Sequence, residues 1–102
     1  MEDKTAEYAE IFDENIKAHG TDFEAGIAME ECAELIQAIS KVRRYGFVGK
    51  YKDNLLEEIA DVDIVLTELT MMFDIVPDEF FSIRDRKVQR IKERLEERSG
   101  CK

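Results

Sequence analysis

Residues 54–73 read NLLEEIADVDIVLTELTMMF, and their pattern sets the structural class of the chain. Large apolar residues recur there in steps of four and three, at Leu55, Ile59, Val62, Leu66, Leu69 and Phe73. This spacing is the period of an amphipathic α-helix, and a stripe of this kind is typical of a helix that packs along another helix. We therefore expect a long helix from about residue 53 or 54 to Phe73.

Two more helices are predicted before this segment. The first runs from about residue 5 to 19 and stops at Gly20, because glycine ends helices readily. The second begins at Thr21 or the following aspartate, where Thr21 and Glu24 have the spacing of a capping box. It ends near residues 45–46, and residues 46–51 are expected to form a loop.

A fourth helix is predicted from Pro77, a favoured first helical position, to about Arg98. Four helices joined by short loops make an all-α bundle, and 102 residues allow a single domain that spans residues 1–102. Two of the helices are long and amphipathic, with a coiled-coil-like stripe. We therefore expect a second copy of the chain to complete the core, as a dimer or a dimer of dimers.

The composition excludes several classes of function. The chain has 24 acidic and 15 basic side chains, a formal net charge of −9, which disfavours general binding to nucleic acid or to an anionic membrane. The longest run without an acidic or basic residue covers residues 35–40, too short for a transmembrane span, and no apolar run follows the N-terminus as in a signal peptide. We therefore expect a cytoplasmic protein. One histidine and two cysteines, without a CxxC motif, provide neither a set of zinc ligands nor a histidine-based triad.

Two pairs of acidic residues stand out, Glu31 with Glu34 and Glu58 with Asp61. Residues three apart project side by side from one helix face, so each pair can share one cation. On a helical wheel, Glu31 and Glu34 fall among apolar residues, where ionised carboxylates cost several kcal/mol each unless a positive group meets them. The alternative is that all four acids are solvated or form salt bridges with lysines and arginines.

The two pairs can meet if the second and third helices pack antiparallel. Such a cluster offers only oxygen ligands, which favour Mg²⁺ or Mn²⁺ over zinc or copper. A di-iron bundle would carry Glu-x-x-His motifs, whereas each pair here ends in Glu34 or Asp61. The cluster is therefore interpreted as a magnesium site, and magnesium bound by carboxylates usually keeps positions open for water and substrate phosphates.

The fourth helix is locally basic, with six basic and two acidic residues between positions 84 and 94. Lys87, Arg90 and Arg94 line one edge of this helix, beside an apolar stripe that contains Val88 and Ile91. A solubilising face, paired with glutamates at positions 93, 96 and 97, is one interpretation of this edge. Beside a magnesium cluster, a clamp for phosphate groups becomes the better interpretation.

These motifs, taken in order, resemble those of the MazG-like all-α nucleoside triphosphate pyrophosphohydrolases. That superfamily carries Glu-x-x-Glu and, some tens of residues later, Glu-x-x-Asp. The corresponding stretches of this chain are Met29-Glu30-Glu31-Cys32-Ala33-Glu34-Leu35 and Leu56-Glu57-Glu58-Ile59-Ala60-Asp61-Val62. The resemblance covers nearly the whole chain as one minimal module.

The resemblance implies an oligomeric all-α enzyme that uses Mg²⁺ to cleave nucleoside triphosphates between the α and β phosphates. The products would be a nucleoside monophosphate and pyrophosphate. It further implies that Glu31, Glu34, Glu58 and Asp61 are the catalytic metal ligands, and that Lys87, Arg90 and Arg94 hold the phosphates. Candidates for the base and sugar pocket are Asn15, His19 and Phe23. A structural role is the alternative for each, as a helix C-terminal residue for His19 and a core residue for Phe23.

Two other functions remain open from the sequence. Phosphoribosyl-ATP pyrophosphohydrolases share the acidic pairs, but a histidine tends to follow their second pair, and here Val62 follows Asp61. A non-catalytic helical dimerisation module is the alternative outside the enzymes. In such a module the acids would repel one another, so their neutralisation would stabilise the fold.

Overall fold

The computed structural model describes residues 4–100, which form four α-helices and no β-strand. The helices are α1 (Thr5–His19), α2 (Thr21–Tyr45), α3 (Gly49–Met72) and α4 (Pro77–Gly100). The predicted all-α class and the number of helices are confirmed. None of these four helices combines the length and apolar character needed to cross a membrane.

The turns around α2 are set by two glycines. Gly20 and Gly46 have φ angles of 89° and 95°, in the region that side chains disfavour, and their N–H groups donate to the carbonyls of Ile16 and Val42. The predicted capping box at the start of α2 is wrong. Gly20 occupies the N-cap position, no side chain caps the helix, and the Glu24 carboxylate lies against His19 instead.

Helix α3 begins at Gly49, about four residues before the predicted start. Val48 is extended, and its carbonyl accepts hydrogen bonds from the N–H groups of Tyr51 and Lys52. The ring of Tyr51 stacks on that of Tyr45 at the end of α2, with centroids 4.7 Å apart. This contact between two helices favours helical structure in a segment where the local sequence predicts a loop.

Helices α2 and α3 form an antiparallel pair, which is the main contact within the chain. Three apolar residues of the pair are buried, Ala28, Ala38 and Val65. Two glutamates, Glu24 and Glu68, are buried in the same pair. The core of one chain is therefore small and partly polar. It contains few large apolar side chains.

The apolar stripe predicted on α3 has the correct helical period but does not form the core of the single chain. Its members Ile59, Leu66 and Phe73 are exposed. The face buried against α2 is the neighbouring ridge, which includes Glu58, Val65 and Glu68. Much of the apolar surface of the helix therefore points away from α2.

Helix α4 is separate from the other helices, since none of its Cα atoms lies within 8 Å of a Cα atom in α1, α2 or α3. The radius of gyration is 17.5 Å, against about 13 Å for a compact domain of this length. The accessible surface is 8448 Å², about 2,500 Å² more than expected for a compact monomer of this size. The described residues thus form an elongated, open arrangement.

Candidate metal centre

The two pairs of acidic residues meet across the α2–α3 contact. Carboxylate oxygens of Glu31, Glu34 and Glu58 lie within 4.8 Å of one another. Asp61 completes the group, because it lies on the same face of α3 as Glu58 and its charge contributes to the raised pKa of Glu31. These four residues are called the acidic cluster below. Its geometry follows from two i, i+3 pairs on antiparallel helices.

Two oxygens of the acidic cluster are buried without a partner. Neither Oε2 of Glu31 nor Oε2 of Glu58 has a hydrogen-bond partner. Buried polar atoms are nearly always paired in folded proteins, so two unpaired acceptors at one place require an explanation. A cation bound between the helices would satisfy both oxygens, and the all-oxygen ligand set fits Mg²⁺ or Mn²⁺.

The raised pKa values in the acidic cluster also favour a bound cation, because they show that its carboxylates are desolvated and repel one another. Burial raises the pKa of Glu31 to about 7, and the charges of Asp61 and Glu34 contribute to the increase. Burial also raises the pKa of Glu58, with the charge of Glu34 as the next cause. Both shifts arise because desolvation and like charges disfavour the ionised forms.

No basic side chain compensates this negative charge within residues 4–100. Among the described residues, Lys17 forms an ion pair with Asp13 and His19 contacts the carboxylate of Glu24, and neither contact involves the acidic cluster. The alternative that these acids form salt bridges is therefore wrong for the described residues, whereas the alternative that they are solvated holds for Glu34, which is exposed. Like charges that lie together without a counter-charge are typical of a site that receives its counter-charge from outside the chain.

The three candidates for the base and sugar pocket lie together at the N-terminal end of α2. The Nδ2 of Asn15 donates a hydrogen bond of 2.8 Å to Oε2 of Glu68, and the Nδ1 of His19 lies 3.0 Å from Oε1 of Glu24. The ring of His19 is 5.5 Å from that of Phe23. Phe23 is 55% exposed, so the alternative of a core position is wrong, whereas His19 is the C-terminal residue of α1, as its structural alternative predicts.

The sequence reasoning missed the buried glutamates Glu24 and Glu68. A signal for both was present in their spacing. Glu24 precedes Glu31 by seven residues and Glu68 follows Asp61 by seven, which places each on the same helix face as a member of the acidic cluster. A capping box at Thr21 and Glu24 predicts a solvent-exposed carboxylate, and the apolar stripe of α3 does not include Glu68.

The basic edge of α4 is grouped but remote from the acids. Lys87, Arg90 and Arg94 line a small cleft of about 180 Å³, and none of them forms an ion pair with a described acid. The glutamates of α4 are therefore not salt-bridge partners of this edge. Because α4 does not approach α2 or α3, one chain does not bring these cations to the acidic cluster.

Comparisons with known proteins give no match, whether to a family model, a curated protein or a solved structure. The assignment of an activity therefore depends on the residues themselves. Two observations carry the most weight. One is the convergence of two acidic motifs between helices, and the other is the pair of buried carboxylate oxygens without partners.

Proposed function

We propose that this protein is a Mg²⁺-dependent nucleotide pyrophosphohydrolase of the MazG-like type. It would cleave nucleoside triphosphates between the α and β phosphates to give a nucleoside monophosphate and pyrophosphate. The observation that carries the proposal is the acidic cluster, in which three carboxylates lie within 4.8 Å and two buried oxygens have no partner. The motif resemblance adds the reaction and the substrate class.

The acidic cluster would hold the metal through Glu31, Glu34, Glu58 and Asp61. A bound Mg²⁺ supplies charge neutralisation for phosphate oxygens and lowers the pKa of a bound water. One of the four carboxylates accepts the proton that the attacking water loses. In the metal-free chain the pKa of Glu31 is raised to about 7, so binding of Mg²⁺ at this site would release a proton near neutral pH.

We also propose that the working form is a homodimer or a dimer of dimers. The apolar stripe of α4, with Val88, Ile91 and Leu95, is exposed, as are Ile59 and Leu66 of α3. The surface excess of about 2,500 Å² per chain is in the range buried by obligate oligomers. We further propose that α4 of one copy lies against the α2–α3 pair of the other, so that Lys87, Arg90 and Arg94 would hold phosphate groups at the acidic cluster of the partner.

The base and sugar would lie towards the N-terminal end of α2. His19 and Phe23 expose adjacent aromatic rings there, and Asn15 carries an amide that interacts with Glu68. Phe23 is eight residues before Glu31, which corresponds to about 12 Å along the helix. The three residues would therefore form one pocket. The acidic cluster lies between this pocket and the α2–α3 turn.

Release of pyrophosphate tests the reaction. Ribo- and deoxynucleoside triphosphates would be incubated with Mg²⁺ or Mn²⁺ and the wild-type protein, the Glu58→Ala variant or the Glu57→Ala control, which removes a neighbouring exposed carboxylate. The proposal predicts pyrophosphate from some nucleotides, its loss in Glu58→Ala and its retention in Glu57→Ala. Free phosphate as the product would contradict the assigned bond.

The same assay addresses the alternatives. Phosphoribosyl-ATP joins the panel, and activity restricted to it would favour the histidine-biosynthesis enzyme. The exposed apolar faces also suit a non-catalytic dimerisation module. That alternative predicts no turnover, no stabilisation by Mg²⁺, and a more stable fold when Glu34 is changed to Gln.

A further inference from the structure

The turn between α2 and α3 carries a local concentration of positive charge. Residues 41–52 contain five basic side chains and no acidic one, within a chain whose formal net charge is −9. The basic residues are Lys41, Arg43, Arg44, Lys50 and Lys52. None of them forms an ion pair with an acid of the described chain. A cationic segment in an acidic protein attracts anions to one place.

Part of this segment forms a cleft with a defined shape. It has a volume of about 440 Å³ and is lined by Lys41, Arg44, Tyr45, Lys50, Tyr51 and Asn54; we call it the turn cleft. The rings of Tyr45 and Tyr51 stack at an interplanar angle of 20°. The guanidinium of Arg44 lies 5.6 Å from the centre of the Tyr45 ring, and the ammonium of Lys50 lies 5.4 Å from that of Tyr51.

The chemistry of the turn cleft fits phosphate groups better than a nucleobase. Each tyrosine ring already has the other ring against it and a cation over it, so stacking with a base would have to displace one of them. The rings instead hold two of the cations in place through cation–π contacts. The three cations of the cleft, which include these two, and the amide of Asn54 are donors of the kind that bind phosphate oxygens.

The turn cleft lies on the same helix faces as the acidic cluster. Lys41 follows Glu34 by seven residues, and Tyr51 precedes Glu58 by seven. Seven residues make almost two full turns, so each pair shares a face and is separated by about 10 Å along the helix axis. Asn54, which lines the turn cleft, is one helical turn from Glu58. A ligand that extends along this face can contact both.

We propose that the turn cleft binds the terminal phosphates of the substrate and holds the pyrophosphate leaving group. This inference rests on the proposed function. Water attacks the α-phosphorus and forms a new P–O bond, while the bond from the α-phosphorus to the bridging oxygen breaks. The electron pair stays on that oxygen, which becomes part of pyrophosphate, and the proton of the water goes to a carboxylate of the acidic cluster. The cations of the turn cleft stabilise the negative charge that develops on the leaving group.

A direct binding measurement tests the turn cleft without relying on hydrolysis. Inorganic tripolyphosphate would be titrated by calorimetry into the metal-free protein in EDTA, which removes any contribution from a metal. The test variant is Lys41→Gln/Lys50→Gln, in which two cations of the cleft are lost. The matched control is Arg43→Gln/Lys52→Gln, which loses the same charge from the same segment but outside the cleft. Thermal melts verify that both variants fold.

The proposal predicts that wild type binds tripolyphosphate, that the cleft variant binds at least tenfold more weakly, and that the control stays within about twofold. Where turnover is measured, the cleft variant also raises the KM for the nucleotide and weakens inhibition by pyrophosphate. An equal loss in both variants would overturn the proposal, since it would indicate general attraction to charge. Tighter binding of a single-stranded oligonucleotide than of tripolyphosphate, lost in the same variant, would overturn it in favour of a nucleic-acid surface. Specific tripolyphosphate binding without turnover would support the cleft as a phosphate site while the proposed hydrolysis fails.

Discussion

The α2–α3 pair and helix α4 use their side chains in opposite ways. The pair buries small residues and, at least in part, five acidic side chains, while large apolar side chains such as Ile59 and Leu66 stay exposed. Helix α4 buries nothing, although it carries an apolar stripe with Val88 and Ile91. The α2–α3 pair thus holds charged side chains together within the chain, whereas the apolar surface of α4 stays exposed to solvent.

This contrast indicates that the geometry of the acidic cluster and the stability of the chain depend on different contacts. The α2–α3 pair places carboxylates together, which destabilises the metal-free chain. The compensating apolar burial is largely absent from the single chain, because about 2,500 Å² of additional surface remains accessible. We therefore expect a bound cation to reduce the repulsion between the carboxylates of the α2–α3 pair. We expect a second copy of the chain to bury the exposed apolar surface of α4.

The largest effect is expected when a ligand of the acidic cluster is neutralised. Glu58→Gln should lower pyrophosphate release by more than about 100-fold, since even groups that only support metal ligands contribute 10–100-fold. Glu57→Gln, which changes an exposed neighbour, should retain most of the activity. Steady-state assays with Mg²⁺ measure both variants. Equal activity in the two variants would show that the cluster does not carry the reaction.

The second effect concerns α4. Ile91→Glu places a charge in the exposed apolar stripe and should weaken self-association at least 100-fold, because a buried unpaired charge costs several kcal/mol. Gln89→Glu adds the same charge to α4 away from that stripe and should leave the oligomer intact. Analytical ultracentrifugation over a range of concentrations distinguishes the two. A wild-type chain that stays monomeric at all concentrations would contradict the expected role of α4.

A smaller effect is expected where α1 joins the pair. Asn15→Ala removes the 2.8 Å hydrogen bond to the buried Glu68 and should lower the free energy of unfolding by about 2 kcal/mol. Glu14→Ala, at an exposed neighbouring position, serves as the control and should change it by less than about 0.5 kcal/mol. Urea denaturation measures both. The same loss in both variants would mean that Asn15 does not tie α1 to α3.

The smallest effect is a dependence of stability on pH in the metal-free protein. Glu31 keeps its proton up to a pKa of about 7 when folded, whereas an unfolded glutamate ionises near 4.5. The folded state binds more protons in this window, so stability decreases as pH rises from about 5 to 8. Glu31→Gln should remove about 1–2 kcal/mol of that decrease, less than the full shift because solvent reaches the site. Urea denaturation in EDTA at about pH 5 and about pH 8 measures this change in stability for the wild type and for Glu31→Gln. The same pH dependence in both proteins would contradict the prediction.

The sequence was sufficient to predict the four helices and the meeting of the acidic pairs. Helical periodicity and the stops at Gly20 and Gly46 locate the helices, and the i, i+3 spacing of Glu31 with Glu34 makes a shared face unavoidable. These features are local, so they can be derived from neighbouring residues. The meeting of the two pairs also depends on the antiparallel packing of α2 and α3, which local spacing does not determine.

The remaining features depend on contacts between distant residues. The early start of α3 accompanies the stacking of Tyr51 on Tyr45, and the burial of Glu24 and Glu68 depends on where α1 docks. The buried face of α3 also differs from its most apolar face. A sequence pattern locates an apolar stripe but does not distinguish a partner within the chain from a second copy.

Binding of Mn²⁺ to the protein alone tests the central claim most directly. Electron paramagnetic resonance would follow the free ion during titration of the wild type, Glu31→Gln/Glu58→Gln and Glu30→Gln/Glu57→Gln, the last two having lost equal charge. We predict that the wild type and the control remove Mn²⁺ from solution and that the Glu31→Gln/Glu58→Gln variant does not. Equal binding by the two variants, or no binding by the wild type, would contradict the assignment of the acidic cluster as a metal site.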